Sequence, residues 1–151
     1  MDDLGWLGLA CDLARLCPPS STAFSVGAVI VDADGREIAR GFSREKSPHD
    51  HAEEAALAKT GIRAGASGGQ GDLHGATVYS SLEPCGKRVS GPHPCAELIV
   101  ASGADRVVFA WREPSLFTVG IGAEILTAAG VTLVELSELA DRAREPNAHL
   151  L

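Results

Sequence analysis

His51-Ala52-Glu53, Pro84-Cys85 and Pro94-Cys95 lie far apart in the chain, yet together they offer one imidazole and two thiols with a carboxyl group nearby. Zinc takes nitrogen and sulfur donors in a tetrahedron, and a site with three protein ligands keeps its fourth corner open. If His51, Cys85 and Cys95 hold one ion, three short segments must converge at one edge of a sheet. That requirement restricts the architecture more than any other feature of the sequence.

The rest of the chain permits such a fold. Its 151 residues suit a single domain spanning 1–151, and 45% hydrophobic content is enough for a core. A net charge of −7 does not favour polyanions, so no nucleic-acid partner is expected. Met1-Asp2-Asp3-Leu4 is acidic where a secretory leader is basic, and no apolar run is long enough for a bilayer. The expectation is a cytoplasmic protein with no membrane partner. In a reducing compartment cysteines serve as ligands, nucleophiles or small buried residues. Cys11 and Cys17 read as structural, one on an apolar stripe and the other at a helix end.

The coarse pattern is helix, hairpin, then helix and strand in alternation. Asp2 and Asp3 suit a helix start, Leu4, Leu7, Cys11 and Ala14 give it an apolar face, and Pro18-Pro19 stops it. Ser25 to Asp32 and Glu37 to Ser43 read as a hairpin around Asp34-Gly35. Ala52 to Thr60 reads as a helix, and Gly61 to Gly75 as a mobile surface loop. Strands follow at Thr77 to Ser81, Arg106 to Ala110 and Val131 to Glu135, with helices at Cys95 to Ala101 and Gly122 to Ala129. Ser137 is expected to cap a last helix that runs out before Pro146. This order implies an α/β layer fold with a mixed sheet covered by helices.

Glu53 turns the ligand set into a chemical hypothesis. A structural zinc site needs no adjacent carboxylate. A hydrolytic one needs a base for the proton of water, whose pKa zinc lowers to about 7. The same group can then protonate a ring nitrogen and a departing amine, which suits ammonia loss from an amino-substituted ring. The general signature of zinc deaminases is His-x-Glu followed by Pro-Cys-x-x-Cys. Here the first half matches and each cysteine follows a proline, but nine residues separate Cys85 from Cys95. Other readings use the same residues: a Cys85–Cys95 disulfide, a closed structural zinc site completed by His93 or His49, or His49 in place of His51. Glu83 reads as an organiser of the Pro84-Cys85 turn.

On these segments the chain resembles the deaminase domain of the bifunctional riboflavin-biosynthesis enzymes, within the cytidine deaminase-like superfamily. The resemblance is carried by Val26 to Val31, His51-Ala52-Glu53, Leu82-Glu83-Pro84-Cys85, Pro94 to Ile99, Ser102 to Val108, and Gly120 to Val131. It implies a three-layer α/β/α sandwich with a five-stranded mixed sheet. It also implies zinc on His51, Cys85 and Cys95, with Glu53 as proton shuttle. The implied substrate is a diaminopyrimidinone carrying a ribosylamino phosphate, converted to the uracil derivative plus ammonia. A homo-oligomer, dimer or larger, is implied as well.

The chain departs from that branch at positions that would face substrate. Ala23-Phe24 stands where the branch has Asn-Pro, the loop between the cysteines is one residue longer, and Glu113-Pro114-Ser115-Leu116 replaces Asp-Pro-Asn-Pro. The branch's reductase domain has no counterpart in these residues. Ala23, Phe24, Ser81, Lys87 and Arg88 are the candidate substrate contacts. Arg44, Lys46, Lys87 and Arg88 would gather at the pocket mouth and favour an anionic, phosphorylated heterocycle, or they are ordinary solvated loop charges. Phe24, Trp111 and Phe117 would stack on a flat ring or pack in the core. The main hypothesis is a zinc-dependent hydrolytic deaminase of a small aminopyrimidine. The alternatives are deamination of another nucleobase, nucleoside or triazine-like heterocycle, and a non-catalytic zinc-binding interaction domain.

Overall fold

In the computed structural model, residues 1–61, 73–86, 93–112 and 121–151 are described. Helix α1 spans Asp3–Ala14, and the Asp2 carboxylate caps it by accepting from the Gly5 N–H at 2.8 Å. Leu7, Ala10, Cys11 and Ala14 form its buried stripe, widened by Trp6 and Leu13. Leu4, expected on this stripe, is 42% exposed. The middle and end of α1 pack on β1, with Ala10, Leu13 and Ala14 against Gly27.

Strands β1 (Gly27–Val31) and β2 (Glu37–Phe42) pair antiparallel. Their turn spreads over Asp32 to Arg36. The Asp32 side chain accepts from the N–H groups of Asp34 and Arg36, both at 2.9 Å, and Gly35 takes a left-handed φ of 81°. Strand β3 (Thr77–Ser80) runs antiparallel to β1, and β4 (Arg106–Phe109) and β5 (Thr132–Glu135) follow in parallel. The sheet order is β2-β1-β3-β4-β5. Helix α2 (Ala52–Ala58) follows β2, α3 (Cys95–Ser102) joins β3 to β4, and α4 (Ile121–Ala128) precedes β5. Helix α5 (Ala140–Arg144) lies between 3₁₀ segments at Ser137–Leu139 and Glu145–Leu150.

Two glycines show how the layers stack. A Cβ on Gly27 would lie 1.9 Å from the Ala10 carbonyl oxygen, in the backbone of α1. A Cβ on Gly41 would lie 2.6 Å from the Ala56 nitrogen, in α2. Gly41 pairs with Ala28, and successive side chains point to opposite faces. Helices α1 and α2 therefore cover opposite faces, and every residue of β1 is buried. Helix α5 packs on α1, while α3 packs on α2 and α4. This is the expected α/β/α arrangement around a five-stranded mixed sheet.

The C-terminal expectation needs correction. Ser137 is not an N-cap: it opens a 3₁₀ turn after Leu136, and the short α5 follows with Leu139 at its N-cap. Pro146 sits at the start of the last 3₁₀ segment, where no N–H is required. This segment returns to the sheet through buried Asn147. Its Oδ1 accepts from the Ser25 N–H at 2.6 Å, and its Nδ2 donates to the Ser25 carbonyl at 3.0 Å. Most of the loop expected at Gly61 to Gly75 lies outside the described residues. Among the described residues, no helix is long and apolar enough to cross a membrane.

Candidate metal centre

Each ligand segment is fixed by its own backbone. After β2 the chain turns so that the Asp50 carboxylate accepts from the N–H groups of Lys46 and Ser47 at 2.9 and 2.8 Å. His51 then sits at the N-cap of α2 in extended conformation, and its N–H donates to Glu54 Oε1 at 3.3 Å. Cys95 is the first residue of α3, preceded by extended Pro94. Two hydrogen bonds join the cysteine segments: Ala96 N–H donates to the Cys85 carbonyl at 3.0 Å, and Cys95 N–H donates to Cys85 Sγ at 3.2 Å. From the other side, the start of α4 packs on the Pro84–Gly86 turn, so that a Cβ on Gly122 would lie 2.0 Å from the Pro84 carbonyl oxygen.

The three donors meet. His51 Nδ1 lies 3.6 Å from Cys85 Sγ and 3.4 Å from Cys95 Sγ, and one ligand atom from each residue lies within 4.8 Å of the others. With zinc–sulfur and zinc–nitrogen bonds of about 2.3 and 2.0 Å, two corners of a tetrahedron are about 3.5 Å apart. The imidazole–thiol distances therefore fit zinc. Among the described residues, this is the one such group of histidine, cysteine and acidic side chains. Neither His49 nor His93 joins it, and the Nδ1 of His93 lies 3.4 Å from a Glu97 carboxylate oxygen. Cys85 and Cys95 are not joined in a disulfide.

The electrostatics suit a metal-binding pair. The side chain of Cys95 hydrogen-bonds to Cys85 and, with His51 nearby, holds the Cys85 thiol down at about 4 against the cost of burial. Cys95 is pushed up by that same hydrogen bond, by its burial, and by the charge and hydrogen bond of Glu53. A cation bound between the two sulfurs would take the place of thiol protons. Glu53 faces this pair from the first turn of α2. It is buried, and its Oε1 lies 2.5 Å from the hydroxyl of Ser80, the last residue of β3.

Residues 2–111 match the family described as the cytidine and deoxycytidylate deaminase zinc-binding region. The chain belongs to this zinc-dependent deaminase family. The diaminohydroxyphosphoribosylamino-pyrimidine deaminase of Schizosaccharomyces pombe is 38% identical over 126 residues, covering 83% of the chain and 30% of that protein. A solved structure of Acinetobacter baumannii RibD superposes with a TM-score of 0.79 at 33% identity, over 97% of this chain and 38% of that one. The Aspergillus oryzae Rib2 deaminase in complex with DARIPP superposes with a TM-score of 0.73 at 26% identity, over 98% and 97% of the two chains. The chain spans about a third of the length of the curated relatives it matches. The cofactor of the family is zinc, and the donor set found here fits it.

Other residues of this deaminase-family chain have partners that the sequence does not announce. Arg44 was read either as a pocket-mouth cation or as a solvated loop charge. Its guanidinium donates to the carbonyls of Pro18 and Phe24 and to Ser25 Oγ, clamping the segment before β1. Its backbone takes a left-handed φ of 59°, uncommon for a residue with a side chain. Phe24 meets Trp111 edge-on with centroids 5.5 Å apart, and Ala23 is exposed. Ser81 is buried, and its hydroxyl oxygen accepts from the Gly27 N–H at 3.1 Å. Lys87, Arg88, Glu113 to Leu116 and Phe117 lie outside the described residues. Glu83 donates its N–H to the Trp111 carbonyl at 2.8 Å, and its buried carboxylate accepts from Arg112 at 3.1 Å. The sequence reading did not single out Ser80, Arg112 or Asn147. Each becomes important through a partner distant in sequence.

Proposed function

We propose that this chain is a hydrolytic deaminase of an aminopyrimidine carrying a phosphorylated ribosylamino group, with the uracil-type product and ammonia leaving. The observation that carries the reading is a buried carboxyl, Glu53, facing a three-donor set that fits zinc. His51, Cys85 and Cys95 would hold the ion, whose bound form supplies a Lewis acid and an acidified water near neutral pH. Glu53 takes one proton from the attacking water and gives it to the ring nitrogen, then carries that water's second proton to the leaving nitrogen, which departs as ammonia. Its burial excludes bulk water from the transfer, and a closed structural site would have no use for it. The deaminases named for this substrate class, and the DARIPP-bound Rib2 relative, support the same substrate chemistry. A single domain over 1–151, a cytoplasmic location and a homo-oligomeric assembly belong to this reading.

A second reading, deamination of another aminated base, is favoured by Ala23, whose methyl group offers a pyrimidine no hydrogen bond. Ammonia release from a panel of phosphoribosylated and unphosphorylated aminopyrimidines separates the two. The phosphorylated diaminopyrimidinone is expected to turn over fastest; faster turnover of a free base sinks the phosphate-anchored substrate. Glu53→Ala is expected to keep zinc and lose roughly 10²- to 10⁴-fold in rate. Near-normal turnover by that variant sinks the mechanism.

A further inference from the structure

We propose that Ser80 is a positioning residue that fixes the carboxyl group of Glu53 for proton transfer; this rests on the reading of Glu53 given above. Ser80 is fully buried and Glu53 nearly so, so neither can replace a lost partner with bulk water. The Ser80 hydroxyl lies 2.5 Å from Glu53 Oε1 and 2.7 Å from the Leu82 carbonyl oxygen. It therefore touches both the proton-transferring side chain and the backbone that leads through Pro84 to Cys85. A glutamate has three side-chain torsions, and ordering them costs entropy that a fixed partner offsets in advance. Holding Oε1 leaves Oε2 as the oxygen with freedom to act.

The residue type matters as well as the place. The hydroxyl donates to Oε1, which stays an acceptor whether or not Oε2 carries the proton, so the contact survives the handover. Alternation along β3 places Ser80 on the opposite face from Tyr79, toward α2 where Glu53 lies. Its neighbour Ser81 turns instead to Gly27. The two adjacent serines therefore have separate duties, one toward the carboxyl and one toward β1.

The test compares zinc-loaded wild type with Ser80→Ala, Ser80→Thr and Glu53→Ala. Zinc content, thermal midpoint, kcat and KM are measured on the best substrate of the panel, and the Ser80→Ala protein is crystallised. Ser80→Ala is expected to keep one zinc per chain and a KM within about threefold, and to lose kcat on the order of 10- to 100-fold. Its crystal structure is expected to show the Glu53 carboxyl displaced or in several conformers. Ser80→Thr, which keeps the hydroxyl, is expected to recover most of kcat. The inference is overturned by a Ser80→Ala kcat within twofold of wild type, by a loss that follows zinc content or folding, or by an unmoved Glu53. An inactive Glu53→Ala beside a fully active Ser80→Ala sinks this inference alone, whereas an active Glu53→Ala sinks the deaminase mechanism on which it stands.

Discussion

The backbone N–H of Cys95 donates to the sulfur of Cys85 at 3.2 Å, so the second ligand is positioned by the chain that carries the third. Because each thiol is placed by the other's segment, neither can be removed without disturbing the set. Cys85→Ala, Cys95→Ala and His51→Ala are each expected to lower zinc from about one ion per chain to near zero. Elemental analysis of the purified proteins reads this directly, and a variant that kept a full equivalent would exclude that residue as a ligand.

Metal removal has a consequence that needs no substrate. With Cys85 held at about 4, the metal-free pair carries a thiolate at neutral pH, while burial raises Cys11 to about 11 and keeps it a thiol. Alkylation of metal-free protein at pH 7, mapped by mass spectrometry, is expected to strike Cys85 long before Cys11. The reactivity should persist at pH values well below the ordinary thiol range. Added zinc should abolish it. Equal labelling of both sites would contradict the arrangement.

Tyr79, the single tyrosine of the chain, donates its phenol to Asp3 Oδ1 at 2.6 Å, and Arg106 binds the other carboxylate oxygen. Burial, and then the Asp3 hydrogen bond, push the phenol well above its usual range. A raised acid contributes stability that is complete below its unfolded pKa near 10 and is lost as pH rises toward the folded value. Burial alone would raise Asp3, but its bonds to Tyr79 and Arg106 carry it lower. Its contribution is complete above about pH 4 and is lost in stronger acid. An ultraviolet pH titration is expected to show no native tyrosinate near pH 10. Tyr79→Phe should cost about 1–2 kcal/mol at neutral pH. Ordinary titration of the phenol in the folded protein would contradict this pairing.

The glycines between layers give a prediction about packing. Gly27→Ala would place a methyl group 1.9 Å from the Ala10 carbonyl, an oxygen held in the backbone of α1. The helix must lift from β1, and a loss of about 1–3 kcal/mol is expected in chemical denaturation. Gly35→Ala meets no atom within 4 Å, and its cost is confined to the left-handed φ of 81°. Equal costs at the two positions would show that the close approach of α1 carries little of the stability.

The sequence alone determined the alternation of helices and strands, because local periodicity, β-branched runs and stop signals report on neighbours a few residues away. It also identified which side chains could bind zinc, because the donor types and the Glu two residues beyond His51 are properties of the chain itself. Tertiary structure alone decided what those side chains meet. The cation Arg44 became a clamp on the carbonyls of Pro18 and Phe24. Ser80 came to lie beside Glu53, 27 positions earlier in the chain, and Asn147 reached Ser25 across 122 positions. No local pattern encodes such pairs, because each arises only when strand order and close packing bring distant residues within a hydrogen bond's length.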